Sequence, residues 1–202
     1  FIGSRLAARL DKESDHVVGL LVRQSSRVLS AISKGCQTYY GSLTDAESLS
    51  RALRDFQPDV ICHLGAITPV AYSFDHPQEV TETNYLGTVN LAEVARRECP
   101  NLRRFIFASS MEVYGARAVA NFMRRPFIET DPVFPACPYA VAKQAAESFL
   151  RYLWYAYRFP VVMLRQTNCY GRSRDDYFVV EAIITQMLRG PIIELGDNRP
   201  IR

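Results

Sequence analysis

Tyr139 and Lys143 stand four residues apart in Pro138-Tyr139-Ala140-Val141-Ala142-Lys143, at the predicted start of a helix. That spacing puts both side chains on one helical face. An ammonium beside a phenol favours the phenolate and pulls the tyrosine below its usual pKa of about 10. A phenol so activated can take a proton from a hydroxyl while a hydride leaves the same carbon. The spacing suits a core tyrosine beside a solvated lysine equally well, so the pair alone leaves both readings open.

Other residues could extend that chemistry. Ser109-Ser110-Met111-Glu112 follows an apolar run that reads as a buried strand. A serine there can hydrogen-bond a hydroxyl or carbonyl oxygen, and a partly buried glutamate can act as a general acid or base. A strand-end cap at Ser110 and a solvated charge at Glu112 are the plainer alternatives. The predicted strand ending at Val22 is followed by Arg23-Gln24-Ser25-Ser26, with no Asp or Glu. Dinucleotide folds place an acid there for the adenosine ribose, or an arginine for a 2′-phosphate. This favours NADP, with Arg23 and Ser25 or Ser26 as phosphate partners; a solvated Arg23 is the alternative. Gly3 fits the third glycine of a phosphate-binding turn, the one that lets helix and sheet pack closely.

These residues need elements to position them. Helical spacing runs from Ile2 to Leu10, and His16–Val22 reads as a buried strand, with another over Thr38–Gly41. Thr44 and Glu47 form a capping-box pattern for a helix that Pro58 ends. Strands are predicted at Asp59–Gly65, Arg104–Ser109, Val161–Arg165 and Ile192–Leu195. Helices are predicted at Asn84–Arg97, from Tyr139 to about Tyr157, and at Val179–Arg189. Residues 115–138 form a long segment without strong periodicity, a length usual for functional loops. Alternating helices and continuously apolar strands predict an α/β fold, a doubly wound parallel sheet covered on both faces. Ligands of such folds sit beyond the carboxyl ends of the strands.

Composition narrows the partners. The chain has 202 residues and a net charge of +3, with Lys and Arg scattered rather than striped, which argues against nucleic acid. No apolar run approaches the roughly 18 residues of a membrane span. The five cysteines and three histidines are dispersed, so no metal site is inferred and free thiols in a reducing cytoplasm are expected.

Taken in order, Phe1-Ile2-Gly3, Leu64-Gly65-Ala66, Asn84-Tyr85-Leu86-Gly87-Thr88, Ser109 to Gly115, Tyr139 to Lys143 and Leu195-Gly196-Asp197 resemble the extended short-chain dehydrogenase/reductases. These are the NAD(P)-dependent nucleotide-sugar epimerases and dehydratases. The resemblance implies a Rossmann domain over residues 1–170, truncated before its first strand, and the beginning of a small substrate-binding region over 171–202. It implies Tyr139 as catalytic base, Lys143 as its tuner and holder of the nicotinamide ribose, and Ser110 as orienting the 4-hydroxyl. Gly3 falls in the pyrophosphate turn, Leu64, Gly65 and Ala66 line the cofactor, and Asn84 braces that region. Asn168 approaches the bound nucleotide sugar, and Arg202 matches an arginine that grips its diphosphate.

Glu112 separates members of the resembled family. Simple 4-epimerases have no acid there, whereas 4,6-dehydratases and UDP-glucuronate decarboxylases do. Met111 stands where some dehydratases carry an Asp, and with the Val-Arg-Gln-Ser-Ser segment the chain is most similar to GDP-mannose 4,6-dehydratases. Ser42 departs from the Gly-Asp of many members. The expectation is a cytoplasmic, homodimeric NADP enzyme, with NAD possible, that dehydrates a nucleotide sugar. A 4-epimerase or decarboxylase, or a non-catalytic dinucleotide-binding or interaction module, are the alternatives.

Overall fold

In a computed structural model of the chain, the described residues are 1–13, 15–23, 35–115, 125–171 and 178–195. Helix α1 (Ile2–Leu10) precedes strands β1 (Gly19–Val22) and β2 (Gln37–Tyr40), and α2 (Ala46–Phe56) leads to β3 (Val60–His63). Two short helices, α3 (Val70–Asp75) and α4 (Pro77–Thr81), then enter a π turn (Glu82–Leu86) that continues as α5 (Gly87–Glu98). Strand β4 (Arg104–Ala108), a 3-10 turn (Met111–Tyr114), α6 (Pro138–Tyr157), β5 (Val161–Leu164) and α7 (Val179–Arg189) complete the order.

Among the described residues all strand pairing is parallel. β1 pairs with β2, and β3-β4-β5 form a second sheet. These sheets correspond to positions 3-2 and 4-5-6 of the doubly wound order 3-2-1-4-5-6. The described residues hold no strand for the place between them.

Register decides what each face carries. Ile61, Phe105 and Val161 align across the larger sheet, as do His63, Phe107 and Met163. Phe105 and Phe107 are buried against Leu49 of α2, Leu91 and Val94 of α5, and Leu150 and Leu153 of α6. Each such aromatic contributes about 1.5–3 kcal/mol by leaving water. Successive residues point the other way. On that face Ala108 is buried, while Val60, Val162 and Leu164 stay 46%, 40% and 45% exposed among the described residues.

Local differences have local causes. Asp45, not Thr44, caps α2: its carboxylate accepts from the amides of Glu47 at 3.1 Å and Ser48 at 3.2 Å. Thr44 Oγ1 pairs instead with Ser42 Oγ at 2.9 Å, and Glu47 with Arg51 at 2.9 Å. Ile192–Leu195 is not a strand. The amide of Glu194 donates to Gln186 Oε1 at 2.7 Å and its carbonyl accepts from Gln186 Nε2 at 3.1 Å, so a glutamine of α7 satisfies backbone that a ladder would have used. The helix expected from Asn84 begins as the π turn, which holds Asn84 within it.

Candidate active site

The exit of β4 and the first turns of α6 meet at the site. Cys137 starts α6, its Sγ accepting from the amide of Ala140 at 3.4 Å, with Pro138 in the first turn where its missing N–H is harmless. Tyr139 and Lys143 are 7% and 3% exposed. Beyond β4, the Ser110 hydroxyl accepts from the amide of Glu112 at 3.2 Å, capping the 3-10 turn. Gly115 closes that turn with φ +46°, packed so closely on the backbone of Phe134 and Ala136 that a Cβ has no room. The amide of Phe134 returns to the carbonyl of Val113 at 2.8 Å.

Ser110, Glu112, Tyr139 and Lys143 therefore come together. Burial raises the Tyr139 phenol above its ordinary pKa of 10, hydrogen bonding with Ser110 opposes that rise, and the charge of Glu112 adds to it. The phenol thus stands above rather than below its ordinary value, and Lys143 is not among the causes. The lysine ammonium donates instead to the carbonyl of Ala108 at 2.7 Å and lies 4.7 Å over the ring of Phe107 and 5.9 Å from that of Tyr139. Burial lowers its own pKa to about 8, with Glu147 resisting.

A second strip runs past β3. Asn84 accepts from the amide of Ile67 and donates to the carbonyl of Ile67, both at 2.8 Å, and so fixes the path that follows Leu64, Gly65 and Ala66. Gly3, in the first turn of α1, faces Leu64. A Cβ on Gly3 would sit 3.7 Å from the leucine, an ordinary contact, so close packing does not itself demand glycine there. Asn84 is oriented from behind. The Thr88 hydroxyl donates to the carbonyl of Asn84 at 2.7 Å, leaving its oxygen to accept from His63 Nε2 at 2.9 Å. His63 is consequently the Nε2–H tautomer, and burial holds it neutral, its pKa lowered to about 3.

Other expected residues lie apart from this cluster. Arg23 is exposed just past β1, and Asn168 is exposed in a cleft of about 520 Å³ that also involves Arg5, Arg9 and Tyr170. Ser25, Ser26 and Arg202 fall outside the described residues. Sequence reasoning gave no role to Glu147, Arg165 and His63, and took in Ser109 and Thr88 only as parts of the Ser109–Glu112 and Asn84–Thr88 stretches. For Glu147 a signal existed, since it extends the four-residue spacing of Tyr139 and Lys143 by one more step.

Parallel α/β architecture with a serine, tyrosine and lysine gathered at a strand exit defines the class of extended short-chain dehydrogenase/reductases. Within it, the profile of the family described as GDP-mannose 4,6 dehydratase matches residues 1–202, and the chain belongs to that family. It is 27% identical over 201 residues to dTDP-D-glucose 4,6-dehydratase of Dictyostelium discoideum, covering 93% of this chain and 46% of that protein. With GDP-mannose 4,6-dehydratase of Yersinia enterocolitica it shares 37% identity over 155 residues, 71% of this chain and 40% of that one. Among solved structures, UDP-glucose 4-epimerase of Thermotoga maritima with UDP-glucose superposes with a TM-score of 0.83 at 30% identity, covering 94% of this chain and 60% of that one. The dTDP-glucose 4,6-dehydratase of Streptomyces venezuelae with NAD bound gives 0.77 at 26% identity, covering 93% and 57%. The chain spans about half the length of the curated relatives it matches. Among the described residues, no helix is long and apolar enough to cross a membrane.

Proposed function

We propose that this chain is the cofactor-binding part of an NAD(P)-dependent nucleotide-sugar 4,6-dehydratase that works through a 4-keto sugar. One observation carries the reading: Ser110 caps the same 3-10 turn that bears Glu112 and hydrogen-bonds with the buried phenol of Tyr139, so a second acid–base group lies on the turn that meets the phenol. A 4-epimerase has no use for the second.

A dinucleotide suits the strip where Gly3 meets Leu64, because small residues, Gly65 and Ala66, follow Leu64 there and Asn84 fixes the course of the backbone. When bound, the nicotinamide supplies the acceptor for hydride from C4 and the donor that returns it to C6. Tyr139 would take the proton of the 4-hydroxyl as its phenolate, a form that the charges of Lys143 and of a bound nicotinamide ring would favour over the neutral phenol of the ligand-free chain, and Ser110 would orient the hydroxyl by hydrogen bonding. Once C4 is a carbonyl, the proton on C5 is acidic. Glu112 would remove it and pass it to the C6 hydroxyl, which leaves as water with formation of the C5–C6 double bond; when hydride returns to C6, the proton held by Tyr139 would go back to C5.

The acid-free exit of β1 and the exposed Arg23 support NADP over the NAD present in the Streptomyces venezuelae relative. Asn168, in its cleft beside Arg5 and Arg9, suits a nucleotide diphosphate, and residues 171–202 open the substrate-binding region. Exposed Tyr152, Trp154 and Tyr155 on α6 support self-association as a homodimer.

The test is incubation with NADP and GDP-mannose, followed by mass spectrometry of the nucleotide sugar. Loss of one water, giving a 4-keto-6-deoxy product, is expected. A product of unchanged mass inverted at C4 would instead establish the epimerase reading that the Thermotoga maritima likeness favours. Failure to bind or copurify NAD(P)(H) would leave an interaction module.

A further inference from the structure

Glu147 lies behind the site, 3% exposed, where three donors converge on its carboxylate. Ser109 Oγ donates at 2.6 Å, Arg165 Nε at 2.9 Å and Arg165 Nη2 at 2.7 Å. The remaining nitrogen, Nη1, donates to Tyr114 Oη at 2.9 Å and to the carbonyl of Glu129 at 3.1 Å. One ion pair thus joins the exit of β4, the middle of α6, the residue after β5, the 3-10 turn and, at Glu129, the segment that leads back to α6.

A buried ion pair is seldom more stabilising than apolar side chains of the same volume, so its presence here asks for a reason other than stability. Position supplies one. Lys143 holds the carbonyl of Ala108 at 2.7 Å, and Glu147, one helical turn later, holds the hydroxyl of Ser109. Consecutive residues of the strand exit are fastened to consecutive turns of one helix. The next residue out is Ser110, and one turn back along the helix from Lys143 is Tyr139.

We propose that Glu147, itself aimed by Arg165, is a positioning residue that fixes Ser110 relative to Tyr139. What those two residues then do rests on the dehydratase reading; the positioning itself does not. Glu147 touches neither the sugar nor the nicotinamide in this scheme and acts only through Ser109.

The test compares the parent chain with the double variant Glu147→Leu/Arg165→Met, which replaces the pair by apolar side chains of similar size, and with Ser109→Ala, which deletes one hydroxyl and leaves the pair whole. Amide hydrogen exchange over residues 109–112 is expected to accelerate at least about tenfold in both, with exchange in the middle of α5 unchanged. A displacement of about 1 Å can cost about 100-fold in rate, so kcat for nucleotide-sugar conversion should fall by roughly that order with KM little altered. Parental exchange and kcat in Ser109→Ala overturn the proposal, even if the double variant fails to fold. Should the parent convert no nucleotide sugar, the exchange comparison still decides the positioning role, and the silent turnover counts against the dehydratase reading alone.

Discussion

The ammonium of Lys143 donates to the carbonyl of Ala108 at 2.7 Å and leaves the ring of Tyr139 5.9 Å away. The lysine therefore stabilises the strand exit in this state rather than a phenolate. Because burial dominates the phenol, Tyr139 should titrate above pH 10 in the ligand-free chain. Ultraviolet difference titration of the parent against Tyr139→Phe isolates it among the eleven tyrosines. A component titrating near neutral pH would contradict the structure, and so would a large rise in the Tyr139 titration on Lys143→Met.

On the dehydratase proposal, Glu112 is the residue that carries the chemistry past C4. Glu112→Gln keeps the size and polarity of the side chain while removing its capacity to accept a proton. Dehydration should slow by about 10²–10⁴-fold, the usual contribution of a positioned acid–base group, while oxidation at C4 persists and can be followed as transient NADPH absorbance. Parental rates of water loss in the variant would remove Glu112 from the mechanism.

His63 ties stability to acid pH. Its pKa is lowered from 6.5 to about 3 in the folded chain, so between those values the unfolded chain binds the extra proton. Stability then falls as pH drops through that window and is fully present above 6.5. His63→Gln, which can still donate to Thr88, should flatten the decline. Urea titrations at pH 4 and pH 7 measure it, and parallel declines in parent and variant would show that other groups control acid unfolding.

Asn84 makes two hydrogen bonds to one residue, Ile67. Asn84→Ala leaves an amide and a carbonyl without those partners, a loss of about 2–4 kcal/mol, or roughly 5–15 °C in thermal midpoint for a chain of this size. Affinity for NADP should fall as well, because the path after Leu64, Gly65 and Ala66 is no longer fixed. Calorimetry and dinucleotide titration together check this, and unchanged affinity would separate the brace from the cofactor strip.

Where the pattern in the sequence was long and periodic, it carried through to the structure. The stripes over Ile2–Leu10 and Val179–Arg189 give helices with those bounds, since an amphipathic helix needs only its own residues to declare itself. Short elements were less legible. α3 and α4 hold six and five residues, too few for a period to show, and their ends are set by Pro69 and Pro77. Ser110, Glu112, Tyr139 and Lys143 were readable as types at strand and helix ends. Their electrostatics were not, because the partner of Lys143 is a backbone carbonyl, and carbonyls leave no mark in a sequence. The Glu147–Arg165 pair spans 18 positions and exists only once β5 has packed beside α6. Likewise the chain from His63 through Thr88 to Asn84 requires β3 and α5 to meet first.

The π turn at Glu82–Leu86 has a consequence for how this helical stretch tolerates change in length. It accommodates one residue more per turn than the α-helix into which it runs. Deleting one residue there would let α4 and α5 join as regular helix with their outer faces still in phase, because the wider turn already absorbs the extra residue, while the residues inside the turn, Asn84 among them, would be redirected. Asn84 and Thr88 could not then both keep their present directions. The helix would survive such an edit, while the brace on Ile67 or the contact with His63 would be lost. Insertions and deletions in this stretch are therefore a sharper probe of the site than most substitutions on its surface.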